Sequence, residues 1–204
     1  MNLFVNIPPF LTLCCFLGLA VLTVIRGHRT KINILFFITC ILGSFLYIDI
    51  LFVFNVKSTG LALTISRIDH FFIIYSFPVY IHFFHSYLNV YGKIWLIRLA
   101  YAFAFILMWF IPTPLYIESM QKHSFGFFAR GGVLYPLFGV VFLCVTIIIL
   151  TLIFQAIRNE KSNIQKNRLK YVFAGFGVMG VMNGLNVLPI LGYSVYPPGC
   201  FSPL

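Results

Sequence analysis

Six apolar blocks, each closed by a short polar stretch, set the limits on what this chain can fold into. They run over about residues 3–25, 32–56, 61–90, 94–111, 133–157 and 171–191. Roughly 20 apolar residues is the length at which an α-helix crosses the ~30 Å hydrocarbon core of a bilayer. Strict alternation over about ten residues, the signature of an outer-membrane barrel, is absent. Only 9% of the 204 residues are charged and 61% are hydrophobic, whereas a soluble domain carries about a quarter charged residues. The chain therefore reads as an all-α, polytopic transmembrane helical bundle. Its start, MNLFVNIPPF, lacks the basic region of a secretory leader and reads as part of the first span.

The net charge of +10 would point to nucleic acid in a soluble chain, but the positions of the charges point to a membrane instead. Arg26, Arg29, Lys31, Lys93, Arg98, Arg158, Lys161, Lys166, Arg168 and Lys170 fall at one set of span ends. The other set holds Lys57, Lys122 and Arg130, with Arg67 a turn or two inside. Cytoplasmic ends carry the excess of Lys and Arg, which predicts both termini outside and no nucleic-acid partner. Of the five cysteines, Cys14, Cys15, Cys40 and Cys144 sit in apolar blocks. With no CxxC pair among the five, they read as small hydrophobes.

The third block, 61–90, carries Arg67, Asp69, His70, His82 and His85. Ionisable groups at membrane depth are costly unless they face protein or water. Asp49 lies about seven residues before the end of its block, and Arg67 about six after the start of the next. At 1.5 Å per residue both sit roughly 10 Å below the surface, so an Asp49–Arg67 pair is expected, with Asp69 and His70 near the same level. This pair is either a register-fixing ion pair or the floor of an outward-facing pocket in which Arg67 meets an anionic ligand. Pro78 is expected to kink the third helix. His82 and His85, three apart and below that kink, share a face. Zinc usually needs three or four protein ligands, so these histidines read as interhelical packing or relay groups, and neither metal nor cofactor is expected.

Residues 112–132 form the longest polar interruption, and 158–170 read as a solvated basic loop. Gly175, Gly177 and Gly180 match GxGxxG, but no strand precedes them and the match is discounted. Gly180 and Gly184 form GxxxG, which lets membrane helices approach closely. Asn183 and Asn186 need partners within the bundle. The four acids are scattered and no nucleophile–base set or phosphate loop is visible, so no enzyme activity is expected.

The run SRIDHFF followed by PVYIHFFH, then KNRLKYVFAGFGVMGVMNGLNVLPILGY and YPPG, resembles the seven-helix N-terminal sensory region of bacterial sensor histidine kinases. The likeness covers most of the chain from about Pro8. The resemblance implies a membrane sensory input that passes a conformational signal to a cytoplasmic output domain. It also implies the first six of seven spans, so the chain is expected to be a fragment or a truncated form. Expected partners are the lipid bilayer, a second copy in a homodimer, a cytoplasmic signalling domain and a small ligand. The rival readings are a small transporter or channel component and a non-signalling membrane assembly protein.

Overall fold

The computed structural model describes residues 3–90, 92 and 94–202. Lys93, counted above among the basic residues, and Tyr91 lie outside the described residues, as do Met1, Asn2, Pro203 and Leu204. The chain is 74% helical.

Helix α1 (Leu3–Arg26) and helix α2 (Lys31–Asn55) follow the first two apolar blocks closely. Thr30 starts α2 by accepting a hydrogen bond from the Asn33 amide (3.3 Å), the usual device for satisfying a first-turn donor. Helix α3 (Thr59–Ile73) begins in the same way, with the Ser58 hydroxyl accepting from the Leu61 amide (3.4 Å). The three residues between α2 and α3 leave room only for a tight turn, so the two helices pack side by side.

The third block is two helices rather than one. Helix α4 (Ser76–Tyr87) starts after a break at Ile74 and Tyr75. At that break the Tyr75 amide bonds to the Phe72 carbonyl (3.1 Å), which tightens the last turn of α3 into a 3₁₀-type closure. The interruption therefore precedes Pro78 instead of centring on it. Pro78 is the third residue of α4, where its missing N–H costs nothing because first-turn donors have no intrahelical acceptor.

Helix α5 (Ile94–Met108) is 15 residues long, about 22 Å, and gives way to turns at residues 109–116. Helix α6 (Tyr135–Asn159), helix α7 (Asn163–Gly184) and the short α8 (Val187–Ile190) complete the helical set. Among the described residues four stretches are long and apolar enough to cross a membrane: Phe4–Arg26, Lys31–Asn55, Tyr135–Asn159 and Asn163–Ile190. That marks a membrane protein. The third and fourth expected spans instead contain α3, α4 and α5, none of which is long enough alone.

Two polar segments are also more ordered than their composition suggests. The basic stretch 158–170 is a loop only at 160–162; Ser162 caps α7, accepting from the Gln165 amide at 3.5 Å. Lys, Arg and Gln are good helix formers, so the basic residues build the first turns of α7. The interruption 112–132 holds a β-hairpin of strand β1 (Ile117–His123) and strand β2 (Gly126–Gly131). These strands pair antiparallel from Ser119↔Arg130 to His123↔Gly126, with an irregularity between Ile117 and Ser119.

The hairpin packs on α2, α3 and α8. It buries Met120, Phe127, Phe128 and Ala129, which places an apolar face against the helix ends. Gly126, at φ +132°, lies against the backbone of Phe54, where a Cβ would come within 2.5 Å of the Phe54 Cα. Only glycine allows both that torsion and that approach. The core below joins Tyr47, Ile74, Phe77, Ile81, Ile111, Tyr116, Ile149 and Ile153, all nearly or fully inaccessible to solvent.

Candidate functional site

The tight α2–α3 connection sets Asp49 opposite Ser66, and the Ser66 hydroxyl donates to Asp49 Oδ2 at 3.3 Å. On a 3.6-residue helix, Ser66, Asp69 and His70 share one face of α3. All three are buried, as is Asp49. His70 Nδ1 lies 2.7 Å from the Ser66 carbonyl oxygen. A carbonyl can only accept, so Nδ1 carries the hydrogen and donates it. The His70 ring packs edge-on to Tyr116 at 5.8 Å and tilted against Tyr135 at 6.0 Å. Tyr116 and Tyr135 are 5.3 Å apart, and both also pack on Phe138.

The result is a buried polar chamber, a cluster of packed polar side chains with an aromatic wall on one side. Asp49 comes from α2 and Ser66, Asp69 and His70 from α3. Tyr116 comes from the approach to β1 and Tyr135 from the start of α6. Several of its polar atoms have no hydrogen-bond partner: Asp49 Oδ1, Asp69 Oδ2 and the Tyr116 hydroxyl. Most buried polar atoms in folded proteins are partnered, so this concentration sets the chamber apart.

The expected Asp49–Arg67 pair does not form. Arg67 donates from its Nη2 to the Ile117 carbonyl oxygen at 2.8 Å. The two residues do sit at similar depth, but Arg67 is about 100° around α3 from Ser66. That rotation turns it toward the hairpin instead of toward α2. Arg67 therefore clamps the first residue of β1 over the chamber. Among the described residues the one ion pair is Arg130–Glu118 (3.5 Å), and both of its side chains are about half exposed.

The hairpin tip and the end of α2 border an open cleft lined in part by Asn55, Lys57, Lys122 and Phe127, and a second one, reaching the start of α1, is lined in part by Asn6, Asn55, Lys122 and His123. His123 is stacked on Phe125 at 4.9 Å. Burial holds the His123 imidazole below its ordinary range.

The remaining candidates lie elsewhere. His82, on α4, has Nδ1 3.4 Å from the Tyr101 hydroxyl of α5, an interhelical contact. His85 is buried on the same helix. Neither meets the upper chamber, from which the break at Ile74–Tyr75 separates them. Among the described residues no group of three or more His, Cys, Asp or Glu side chains is placed to hold a metal.

Gly180 does permit close packing: a Cβ there would lie 2.7 Å from Thr146 Cγ2 of α6. Gly184 has nothing within 4 Å of such a Cβ, so only one end of the GxxxG works as an α6–α7 contact. Asn183 and Asn186 do not bridge helices directly. Asn183 donates to the Ser202 hydroxyl (3.1 Å), and Asn186 Oδ1 accepts from the Gly199 amide (2.8 Å).

Asn186 thus holds the 3₁₀ turn Pro198–Phe201, and Asn183 holds Ser202 just after it. That turn is also bound by Tyr47, which donates to the Gly199 carbonyl, and by Thr12, which donates to the Cys200 carbonyl, each at 2.8 Å. Ser66, Tyr116, Tyr135 and Tyr47 were not singled out by sequence. Ser66 alone had a readable signal, since it lies three residues before Asp69 on the same helical face. Compared with protein-family models, characterised proteins and solved structures, the chain has no significant match.

Proposed function

We propose that this chain is the sensory input of a membrane signal-transduction protein, of the kind its sequence resembles at the front of bacterial histidine kinases. In this reading it sits in the cell membrane with the N-terminus and the hairpin outside. The output domain is cytoplasmic, carried on a longer chain or a partner. The observation that supports the reading is the buried, incompletely bonded polar chamber on a broken helix, roofed by a hairpin that Arg67 holds in place.

Such an arrangement has two natural states. With the hairpin clamped, the chamber is sealed and α3 is fixed to β1. With the clamp released, α3 is free to reorient at Ile74–Tyr75 relative to α4, which runs on toward the basic end of the bundle. A stimulus acts by favouring one state over the other.

The test is amide hydrogen exchange on the full chain in lipid nanodiscs, comparing wild type with Arg67→Ala. Losing the clamp should speed exchange in 117–131 and also in the α4–α5 connection at 88–90. Faster exchange confined to the hairpin would sink the relay. A second reading, a proton-coupled transporter component, draws support from the same broken helix carrying ionisable groups at membrane depth. Solute or proton flux in liposomes separates the two.

A further inference from the structure

The chamber poses a charge problem that no described residue solves. Asp49 and Asp69 are each only 6% exposed and stand on the packed neighbours α2 and α3, with Ser66, one turn before Asp69, set against Asp49. Ser66 gives Asp49 Oδ2 a hydrogen bond, while Asp49 Oδ1 and Asp69 Oδ2 have no partner.

The surrounding groups do not make up the deficit. On α3, Arg67 directs its guanidinium to the Ile117 carbonyl, and His70 spends its Nδ1 hydrogen on the Ser66 carbonyl. Helix α6 contributes Tyr135, whose ring packs against His70 at 6.0 Å. The approach to β1 contributes Tyr116, fully inaccessible and with its hydroxyl unpartnered; its ring packs on both His70 and Tyr135. Carboxylates so placed are neutralised or coordinated rather than left bare.

We propose that the chamber is an exchangeable cation site. One proton or one sodium ion is shared by the unpartnered oxygens of Asp49 and Asp69, and the occupied chamber holds the hairpin closed. Both occupants are hard cations suited to carboxyl and hydroxyl oxygen, and the two sources are separable by experiment. The proposal names the stimulus class for the sensory reading. It rests on that reading only for the transmission to the basic end, not for the binding.

The experiment uses the full chain in lipid nanodiscs. Hairpin amide exchange, corrected at each pH for the intrinsic base-catalysed rate, and the infrared protonated-carboxyl band are followed from about pH 5 to about pH 9, in choline chloride and in sodium chloride at equal ionic strength. His123 must be removed from the comparison, because burial depresses its folded-state pKa. The closed hairpin holds the imidazole proton less readily than the open form does, so the contribution of His123 to closure is lost as pH falls. The chamber works with the opposite sign, and His123→Gln serves as the background.

If the cation is a proton, falling pH slows hairpin exchange and raises the carboxyl band, and Asp49→Asn or Asp69→Asn diminishes both effects. If it is sodium, exchange at fixed pH slows in sodium but not in choline, by about tenfold when sodium is at ten times its dissociation constant. That effect too is lost in the variants. The proposal is overturned if neither pH nor sodium alters exchange or the carboxyl band in the His123→Gln chain, a result that needs no chamber variant to fold. It is equally overturned if the response persists undiminished in both Asp variants. A cation effect with no response at 88–90 would retire the sensory relay and leave the site standing. A relay response to Arg67→Ala without any cation effect would do the reverse.

Discussion

At the scale of single residues, Ser66 shows how a small hydroxyl organises a site built from larger groups. Among the described residues its hydroxyl is the hydrogen-bond donor to Asp49, and its own backbone carbonyl holds the His70 ring in place. Ser66→Ala would remove the side-chain bond while keeping the backbone one, leaving a second Asp49 oxygen unpartnered. A buried acceptor stripped of its donor costs about 1–3 kcal/mol. The variant should therefore lower the unfolding midpoint in mild detergent, with His70 still in place; an unchanged midpoint would show that the 3.3 Å contact contributes nothing. The depth of Asp49, Asp69 and His70 was legible from residue counting, because rise per residue is a property of any helix. Which of them meet was not, because that depends on how α3 is rotated about its axis. Arg67 illustrates this: correct in depth, it faces the hairpin.

At the scale of elements, the α6–α7 contact separates the two glycines of GxxxG. Thr146 donates its hydroxyl to the Phe142 carbonyl at 2.9 Å, which fixes its methyl group against Gly180. Gly180→Ala must push α7 away from α6 or force Thr146 off its rotamer, at about 1–3 kcal/mol. Gly184→Ala meets open space and should be neutral or stabilising by up to about 1 kcal/mol, from helix propensity. Paired thermal unfolding measurements of the two variants in the same detergent check this. Equal losses at both positions would mean the motif packs as a unit.

The motif was readable as a pattern, but its orientation was not, since two glycines four apart lie on one face without saying what that face meets. The hairpin was missed for a related reason. Residues 117–131 interleave charges with aromatics and read as a loop until α2 and α3 supply the surface that buries Met120, Phe127 and Phe128. The break lies at Ile74–Tyr75, one turn before the kink expected at Pro78. In the structure that proline occupies a helix start, where it is tolerated.

At the scale of the whole molecule, the turn Pro198–Phe201 ties distant parts of the chain together. Thr12 from α1, Tyr47 from α2 and Asn186 beyond α7 all bond its backbone, and Tyr196, just before it, donates to the Val5 carbonyl at 2.8 Å. Tyr47→Phe and Asn186→Ala should each cost about 1–2 kcal/mol through an unsatisfied backbone group. Because both groups bond Gly199, the double variant should cost less than the sum, by about 0.5 kcal/mol or more. A double-mutant cycle in denaturant unfolding tests this, and strict additivity would show that the turn is not held cooperatively.

The sequence by itself determined that this is a helical membrane protein, where its apolar blocks lie, and that its ionisable groups concentrate in the third block. These follow from local quantities: hydropathy summed over about 20 residues, and the cost of charge in hydrocarbon. Tertiary structure alone decided that Asp49 meets Ser66 rather than Arg67, that a hairpin packs on α2 and α3 with Arg67 bonded to it, and that Asn183 and Asn186 bond the segment 199–202. Helix rotation and the fit of one element over another depend on residues far apart in the chain. Hydrophobic periodicity carries no record of which distant surface will cover a given face.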